Sequence, residues 1–140
     1  MYQLTAEHSM DSAHFLADYQ GKCGNIHGHR WRVLITIMGD HLKTTGKNRG
    51  MIVDFGQLKE DVKAAVDFYD HSLIIEKNSI KEETLKLLLS EGFCIHQVDY
   101  RPTAENFAAY FYHELEKKGY WVKEAIVYET PNNCAVYSEE

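Results

Sequence analysis

Apolar and polar residues alternate in two stretches near the start of the chain, and a period of two is typical of β-strands. Segment 4–14 alternates loosely, whereas segment 27–39 alternates clearly. One face of the second segment would carry His27, His29, Trp31, Val33, Ile35 and Ile37. The opposite face would carry Arg30, Arg32 and Thr36. Residues 15–26 between the two strands contain two glycines and are predicted to form a long loop.

Three later stretches repeat apolar residues every three to four positions, which predicts helices that pack along one side. They cover residues 54–70, 79–91 and 103–118. The second stretch begins with the capping-box pattern Ser79-x-x-Glu82 and would end at Gly92. The third stretch follows a proline, and Thr103 is its predicted N-cap.

The remaining segments are predicted to be extended. Residues 93–101 form a short extended piece, and residues 121–130 and 134–138 form a hairpin around the turn 131–133. The element order predicts an α+β fold, in which an antiparallel four-stranded sheet carries helices on one face. Since no linker or repeat divides the sequence, residues 1–140 are predicted to form a single domain.

Composition narrows the function classes. The 140 residues carry a net charge of -6, which gives no support to nucleic-acid binding. No apolar run is long enough for a membrane span, and the start lacks the pattern of a signal peptide. The three cysteines, an odd count, suit a reducing compartment, so we expect a cytoplasmic protein. Cys94 and Cys134 fall in predicted extended segments and are expected to be buried.

Histidines provide the strongest chemical signal. His27 and His29 are two residues apart on a predicted strand, so their side chains share a face about 6 to 7 Å apart. If the first two strands pair antiparallel, His14 at the end of the first lies beside them. Three neutral imidazoles can bind a divalent metal and leave one coordination position open, which is typical of catalytic zinc sites.

Other interpretations of these histidines remain open. They could be unrelated polar residues, or a structural zinc site whose fourth ligand would be Cys23. Imidazole also suits iron, copper and nickel. His8, His41, His96 and His113 lack comparable neighbours and are taken as ordinary surface residues.

Several residues near this cluster are candidates for proton transfer or ligand binding. Cys23 precedes His27 by four positions, and a thiolate next to a metal can act as a base or nucleophile. Asp70 and His71 end the first helix, where a carboxylate can fix an imidazole tautomer. Glu129 on a late strand could accept two N–H groups from the edge of a planar ligand.

Taken together, these residues resemble the 6-pyruvoyl-tetrahydropterin synthase family, and the branch most similar is 6-carboxy-tetrahydropterin synthase of queuosine biosynthesis. Six motifs in the family's order carry the resemblance. They are Asp11-Ser12-Ala13-His14, Cys23-Gly24-Asn25-Ile26-His27-Gly28-His29, Val53-Asp54-Phe55-Gly56-Gln57-Leu58-Lys59, Tyr69-Asp70-His71, Pro102-Thr103-Ala104-Glu105-Asn106 and Tyr128-Glu129-Thr130. The three-residue gap between Cys23 and His27 favours the queuosine branch over the biopterin enzyme.

The resemblance implies a tunnelling fold, in which subunits join their sheets into a barrel, typically as a hexamer of two trimers. The active sites would lie between subunits, with Asp70 and His71 contributed across an interface. Zinc would be bound by three histidines, here His14, His27 and His29. Glu129 would anchor the pterin ring in a pocket also lined by Thr103, Ala104 and Glu105.

The implied reaction converts 7,8-dihydroneopterin triphosphate to 6-carboxy-5,6,7,8-tetrahydropterin, acetaldehyde and triphosphate. Cys23 would act as the base, helped by Asp70 and His71, and the metal would act as a Lewis acid. The biopterin-pathway synthase, which only eliminates triphosphate, and a non-catalytic zinc-binding subunit are the alternatives. The candidates for binding the triphosphate are Lys22, Arg30, Arg49 and Arg101, and the sequence favours none of the four over the others.

Overall fold

The computed structural model describes residues 1–139 and contains, within them, six β-strands and three α-helices. They are β1 (Tyr2–His14), β2 (His27–Gly39), α1 (Phe55–Asp67), β3 (Leu73–Glu76), α2 (Glu82–Ser90), β4 (Ile95–Val98), α3 (Ala104–Lys117), β5 (Val122–Thr130) and β6 (Asn133–Tyr137). A single 3-10 turn, Lys22–Gly24, lies in the loop between β1 and β2. Most sequence-predicted elements are present within a few residues of their expected bounds.

All strands belong to one sheet in the order β4-β3-β1-β2-β5-β6. The prediction of four antiparallel strands is wrong in number and partly in direction, because β3 pairs parallel with both β1 and β4. The missed strand β3 has only four residues, and its two central residues, Ile74 and Ile75, are buried. Periodicity cannot separate so short an apolar run from a loop or a helix end. The α+β class is nevertheless confirmed.

The β1–β2 hairpin positions the histidines. Its pairing runs without interruption from Tyr2 opposite Gly39 to His14 opposite His27. Directly opposed residues in an antiparallel pair share a face, so His14 and His27 project to the same side of the sheet. Ser12 lies opposite His29 in the same register.

The core lies between one sheet face and helices α1 and α3. Trp31, Val33 and Ile35, which were predicted to share one face of β2, are fully buried, and Trp31 packs edge-to-face on Phe107 of α3 at 4.9 Å between ring centroids. This layer of large apolar side chains begins directly after His29, so the histidines lie at the end of a rigid core. A fixed backbone at that point favours a preformed site.

Helix α2 differs from its prediction. Its N-cap is Lys81 and not Ser79, and no side chain caps it within the described residues. The hydroxyl of Ser79 also lacks a hydrogen-bond partner there. The capping-box pattern therefore fails because the chain turns at Asn78, whose φ is +62°, and enters the helix two residues later than the pattern indicates.

The expectation that two of the cysteines are buried is wrong. Cys94 and Cys134 are exposed and not buried, because Cys94 precedes β4 and Cys134 lies on the edge strand β6. Among residues 1–139, no helix is long and apolar enough to cross a bilayer.

Candidate metal centre and its surroundings

His14, His27 and His29 converge at the open end of the β1–β2 hairpin. One ligand atom from each lies within 4.8 Å of those of the other two. The ring centroids of His14 and His27 are 4.7 Å apart, and those of His27 and His29 are 4.9 Å apart. The three imidazoles that the sequence predicts to meet therefore do meet.

Backbone carbonyls fix the orientation of two of the rings. His14 Nδ1 lies 2.7 Å from the carbonyl oxygen of Pro102, and His27 Nδ1 lies 2.7 Å from that of Asn25. A carbonyl oxygen only accepts, so each Nδ1 carries the proton and donates it. Nε2 of each ring is then left with a free lone pair, which is the arrangement that supports metal-binding histidines.

Two ring nitrogens are buried without a partner. Nε2 of His14 and Nε2 of His29 have no hydrogen-bond partner in the described part of the chain. Burial lowers the pKa of His14 to about 4 and also lowers the pKa of His29, whose facing carboxylate, Glu129, offsets part of that shift. Both rings are thus neutral near pH 7 and offer lone pairs, which fits them to bind a metal.

The cluster matches an open site better than a closed one. Within residues 1–139, the three histidines form the one group of ligand atoms close enough to hold a metal, and Cys23 lies outside it. A closed structural site would need a fourth protein ligand at bonding distance. Three imidazoles with no thiolate suit zinc and leave a coordination position for a ligand oxygen.

Cys23 is held near the ends of β1 and β2 by the fold of its loop. Leu16, two residues beyond His14, donates its N–H to the carbonyl of Cys23 at 2.9 Å. Gly24 passes close to Tyr19. A Cβ at Gly24 would lie 2.7 Å from the carbonyl oxygen of Tyr19, so this position requires glycine. Cys23 is half-buried and forms no disulfide with the other cysteines of the described residues.

Asp70 and His71 form a hydrogen-bonded pair. Nδ1 of His71 lies 2.8 Å from Asp70 Oδ2, and this contact raises the pKa of His71. The pair forms because the helix has already ended, and His71 adopts a left-handed φ of +55°. Its side chain is 78% exposed, which leaves it accessible to groups outside this chain.

Asp11 holds the Asp70–His71 pair in place through its backbone. The sequence had given Asp11 no role. Its backbone N–H donates to Asp70 Oδ1 at 2.7 Å, and its carbonyl accepts from the backbone N–H of His71 at 2.8 Å. The first of these bonds holds the pKa of Asp70 below its usual range. The carboxylate of Asp11 binds Arg30 through two contacts of 2.8 Å.

Asp70 and His71 are not members of the imidazole cluster, although His71 lines one large cavity together with His29. Asp70 lines a surface cavity together with Asp11 and Arg30. Along β1 and β2, Asp11 and Arg30 alternate with Ser12 and His29, so their side chains project from the opposite face of the sheet. A larger cavity of about 850 Å³ is lined by His71, Arg30 and His29 and by apolar residues of the α2–β4 segment.

Glu129 lies next to the cluster at an irregularity of β5. The β5–β6 register shifts between Tyr128 and Thr130, and such bulges redirect side chains beside active sites. Oε1 of Glu129 is 3.9 Å from His29 Nε2, too far for a hydrogen bond. Glu129 also lines a cavity of about 470 Å³ with Ala104 and Glu105.

The structure thus brings together three of the four residues expected in the ligand pocket. The fourth, Thr103, is half-buried directly before them, and its hydroxyl accepts the N–H of Asn106 as the N-cap of α3. Sequence reasoning missed Asn133 and Cys134, which line the same cavity from β6. The only available signal was their place in the predicted hairpin opposite Glu129.

The chain matches a family model described as 6-pyruvoyl tetrahydropterin synthase over residues 3–140. A Haemophilus influenzae protein named 6-carboxy-5,6,7,8-tetrahydropterin synthase is 32% identical, with 99% of this chain and 100% of that protein covered. A Rickettsia bellii protein of the same name is 35% identical, with 94% of this chain and 96% of that protein covered.

Solved structures show the same fold. The 6-pyruvoyltetrahydropterin synthase of Plasmodium vivax, in a variant of a catalytic residue, matches with a TM-score of 0.73 at 20% identity and covers 99% of this chain and 98% of that chain. The 6-pyruvoyl tetrahydropterin synthase of Caenorhabditis elegans matches with a TM-score of 0.69 at 21% identity, over 99% of this chain and 96% of that chain. The predicted tunnelling fold is thereby confirmed.

Proposed function

The chain belongs to the 6-pyruvoyl tetrahydropterin synthase family, and from that premise we propose that it is a zinc-dependent 6-carboxy-5,6,7,8-tetrahydropterin synthase. The substrate would be 7,8-dihydroneopterin triphosphate, and water would be consumed. The products would be 6-carboxy-5,6,7,8-tetrahydropterin, acetaldehyde and triphosphate. The enzyme would act in the cytoplasm, in queuosine biosynthesis.

The observation that carries this proposal is the open three-histidine cluster in a chain whose full-length relatives bear that enzyme's name. The relatives from Haemophilus influenzae and Rickettsia bellii are more than 30% identical over nearly the whole chain. Among residues 1–139, the cluster offers three imidazoles and no thiolate. That donor set fits a catalytic metal more closely than a structural one.

Different residues of the chain would have different roles in the reaction. A bound zinc would supply Lewis acidity toward the hydroxyl groups of the substrate side chain. Cys23 as thiolate would remove a proton from the side-chain carbon next to the ring, and triphosphate would leave by elimination. Asp70 would keep His71 oriented and basic, so that the pair can exchange a proton with the thiol or the substrate.

The pterin ring would bind in the cavity of about 470 Å³ lined by Ala104, Glu105 and Glu129. The carboxylate of Glu129 would accept two N–H groups from the edge of the ring, and charge-assisted bonds of this kind fix orientation. Thr103 would complete the wall from the N-terminus of α3. The short distance between Glu129 and His29 supports a ligand that spans the ring pocket and the metal.

We expect the substitution Glu129→Gln to raise KM while the metal stays bound. Gln keeps one acceptor oxygen but turns an NH2 donor toward the second N–H of the ring, so one charged hydrogen bond of about 1.5 to 3 kcal/mol is lost, which corresponds to roughly 10- to 150-fold. Steady-state kinetics and metal analysis measure both effects. Glu124→Gln on the same strand is the matched control, and an equal KM for the two variants would contradict the assigned role of Glu129.

The active sites would be shared between subunits of a homo-oligomer, a hexamer of two trimers. Support comes from the exposure of His71 and from its place outside the group of three imidazoles, at a cavity that it shares with His29. A neighbouring subunit would bring its own Asp70 and His71 to this chain's metal.

Mixed assembly tests that sharing. Cys23→Ala and His71→Ala subunits should each be nearly inactive, and mixing them after reversible dissociation should restore about one quarter of wild-type turnover, because random assembly rebuilds that share of complete sites. Each variant dissociated and reassembled alone is the control. If the mixture stays as inactive as its components, both residues belong to the same subunit's site.

A second candidate is the 6-pyruvoyl-tetrahydropterin synthase reaction, favoured by the description of the family model and the names of the solved structures. Incubation of the purified, zinc-loaded protein with 7,8-dihydroneopterin triphosphate separates the two. Acetaldehyde together with a 6-carboxy product supports the proposal, whereas a 6-pyruvoyl product supports the second candidate. Absence of turnover would indicate a non-catalytic zinc-binding subunit.

A further inference from the structure

We propose that Arg101 is a positioning residue that fastens the loop carrying Cys23 to the segment that orients His14. This inference rests on the catalytic role proposed for Cys23. It assigns Arg101 a task other than binding the triphosphate, for which its charge alone had made it a candidate.

The loop needs such a fastening. Residues 18–22 are exposed, and two of them have left-handed backbones, Asp18 at φ +59° and Gly21 at φ +147°. The bonds from Leu16 to Cys23 and from Gly24 to Gly21 join parts of the loop to one another. They bring Cys23 next to Leu16, near the end of β1, but neither bond reaches a residue outside the loop.

Arg101 supplies a contact from outside the loop. One terminal nitrogen of its guanidinium donates to the carbonyl oxygen of Ala17 at 2.6 Å, across 84 positions of sequence. The guanidinium carbon also lies 5.7 Å from the centroid of the Tyr19 ring, within cation–π range. Arg101 thus contacts the loop at two residues, shortly before Cys23.

The backbone around Arg101 is itself firmly held. Its carbonyl accepts the N–H of Thr103 at 2.8 Å and the side-chain amide of Asn106 at 2.9 Å. The next residue, Pro102, is buried, and its carbonyl accepts the proton of His14 Nδ1. One short segment therefore orients a metal ligand with its backbone and the thiol loop with its side chain.

The residue type fits this task. A planar guanidinium can donate to a carbonyl with one edge while its face lies over an aromatic ring. A lysine at the same position would provide a single point charge and could not hold both contacts in fixed geometry. Since the contact with Ala17 is made by the chain's own groups, it would restrain the loop before substrate binds.

The test compares Arg101→Ala, Arg101→Lys and the exposed control Lys63→Ala, all loaded with zinc. Without substrate, peptide-level mass spectrometry follows amide hydrogen exchange over residues 15–26 and the rate of Cys23 alkylation by iodoacetamide. In Arg101→Ala, these amides should exchange about tenfold faster and Cys23 should be alkylated about tenfold faster, because local opening becomes easier. Arg101→Lys should lie between Arg101→Ala and wild type, and Lys63→Ala should match wild type.

Kinetics provide the second measurement. With substrate, kcat of Arg101→Ala should fall about 10- to 100-fold at a nearly unchanged KM and a wild-type zinc content, as for other residues that position a catalytic group. If Arg101→Ala does not fold, Arg101→Lys is judged by the same criteria.

Wild-type loop exchange and wild-type Cys23 alkylation in the folded variants would overturn the inference. So would a raised KM alone, which would identify Arg101 as a phosphate contact. If the wild-type protein has no turnover, the proposed function fails, yet the measurements made without substrate still decide the role of Arg101.

Discussion

Replacing His27 with alanine should remove both the bound metal and the turnover. Zinc binding to protein sites releases about 10 to 16 kcal/mol, so losing one of three imidazoles should cost roughly a third of such a figure, or about 3 to 5 kcal/mol. That corresponds to a fall in affinity of about 10²- to 10³-fold or more. Elemental analysis after dialysis should find far less than one zinc per chain, and turnover should fall in parallel.

His41→Ala is the matched control for this experiment. His41 is 85% exposed and lies outside the cluster, so its variant should keep the metal and the activity. Full zinc occupancy in His27→Ala would mean that the metal is bound elsewhere. Full activity without zinc would mean that the metal is not needed.

Replacing Cys23 with alanine should abolish turnover and leave the metal in place. A positioned general base typically contributes about 10²- to 10⁴-fold, so kcat should fall by that order. Zinc content should remain near one per chain, because the thiol is not among the three ligand groups. This split between activity and metal content distinguishes a base from a ligand.

Cys94→Ser serves as the thiol control, since Cys94 is exposed and precedes the edge strand β4. The Cys94→Ser variant should retain both its turnover and its zinc. Unaltered turnover in Cys23→Ala would remove Cys23 from the mechanism. Loss of zinc in the same variant would show that its sulfur is a ligand and that the site is a closed structural one.

Local sequence signals correctly predicted that the three imidazoles converge. Alternation in 27–39 fixed the face of His27 and His29, and a hairpin with neighbouring strands had to bring His14 beside them. Each of these steps depends on short-range geometry. The N-cap at Thr103 and the β5–β6 hairpin were predicted for the same reason.

Long-range contacts were not predictable from the chain. Strand β3 gains its stability from parallel pairing with β1 and β4, which no local pattern encodes. The carbonyls of Pro102 and Asn25 that orient two imidazoles carry no residue-type signal, since every residue has such a group. The same holds for the backbone of Asp11 beside Asp70 and His71.

Extended X-ray absorption at the zinc edge of the loaded wild-type protein tests the central claim most directly. Zinc–nitrogen and zinc–sulfur bonds differ clearly, at about 2.0 to 2.1 Å and about 2.3 Å. Three imidazoles from β1 and β2 at an open site predict a first shell of nitrogen and oxygen only, with scattering from three histidine rings. A sulfur at the longer distance, or fewer than three rings, would contradict it.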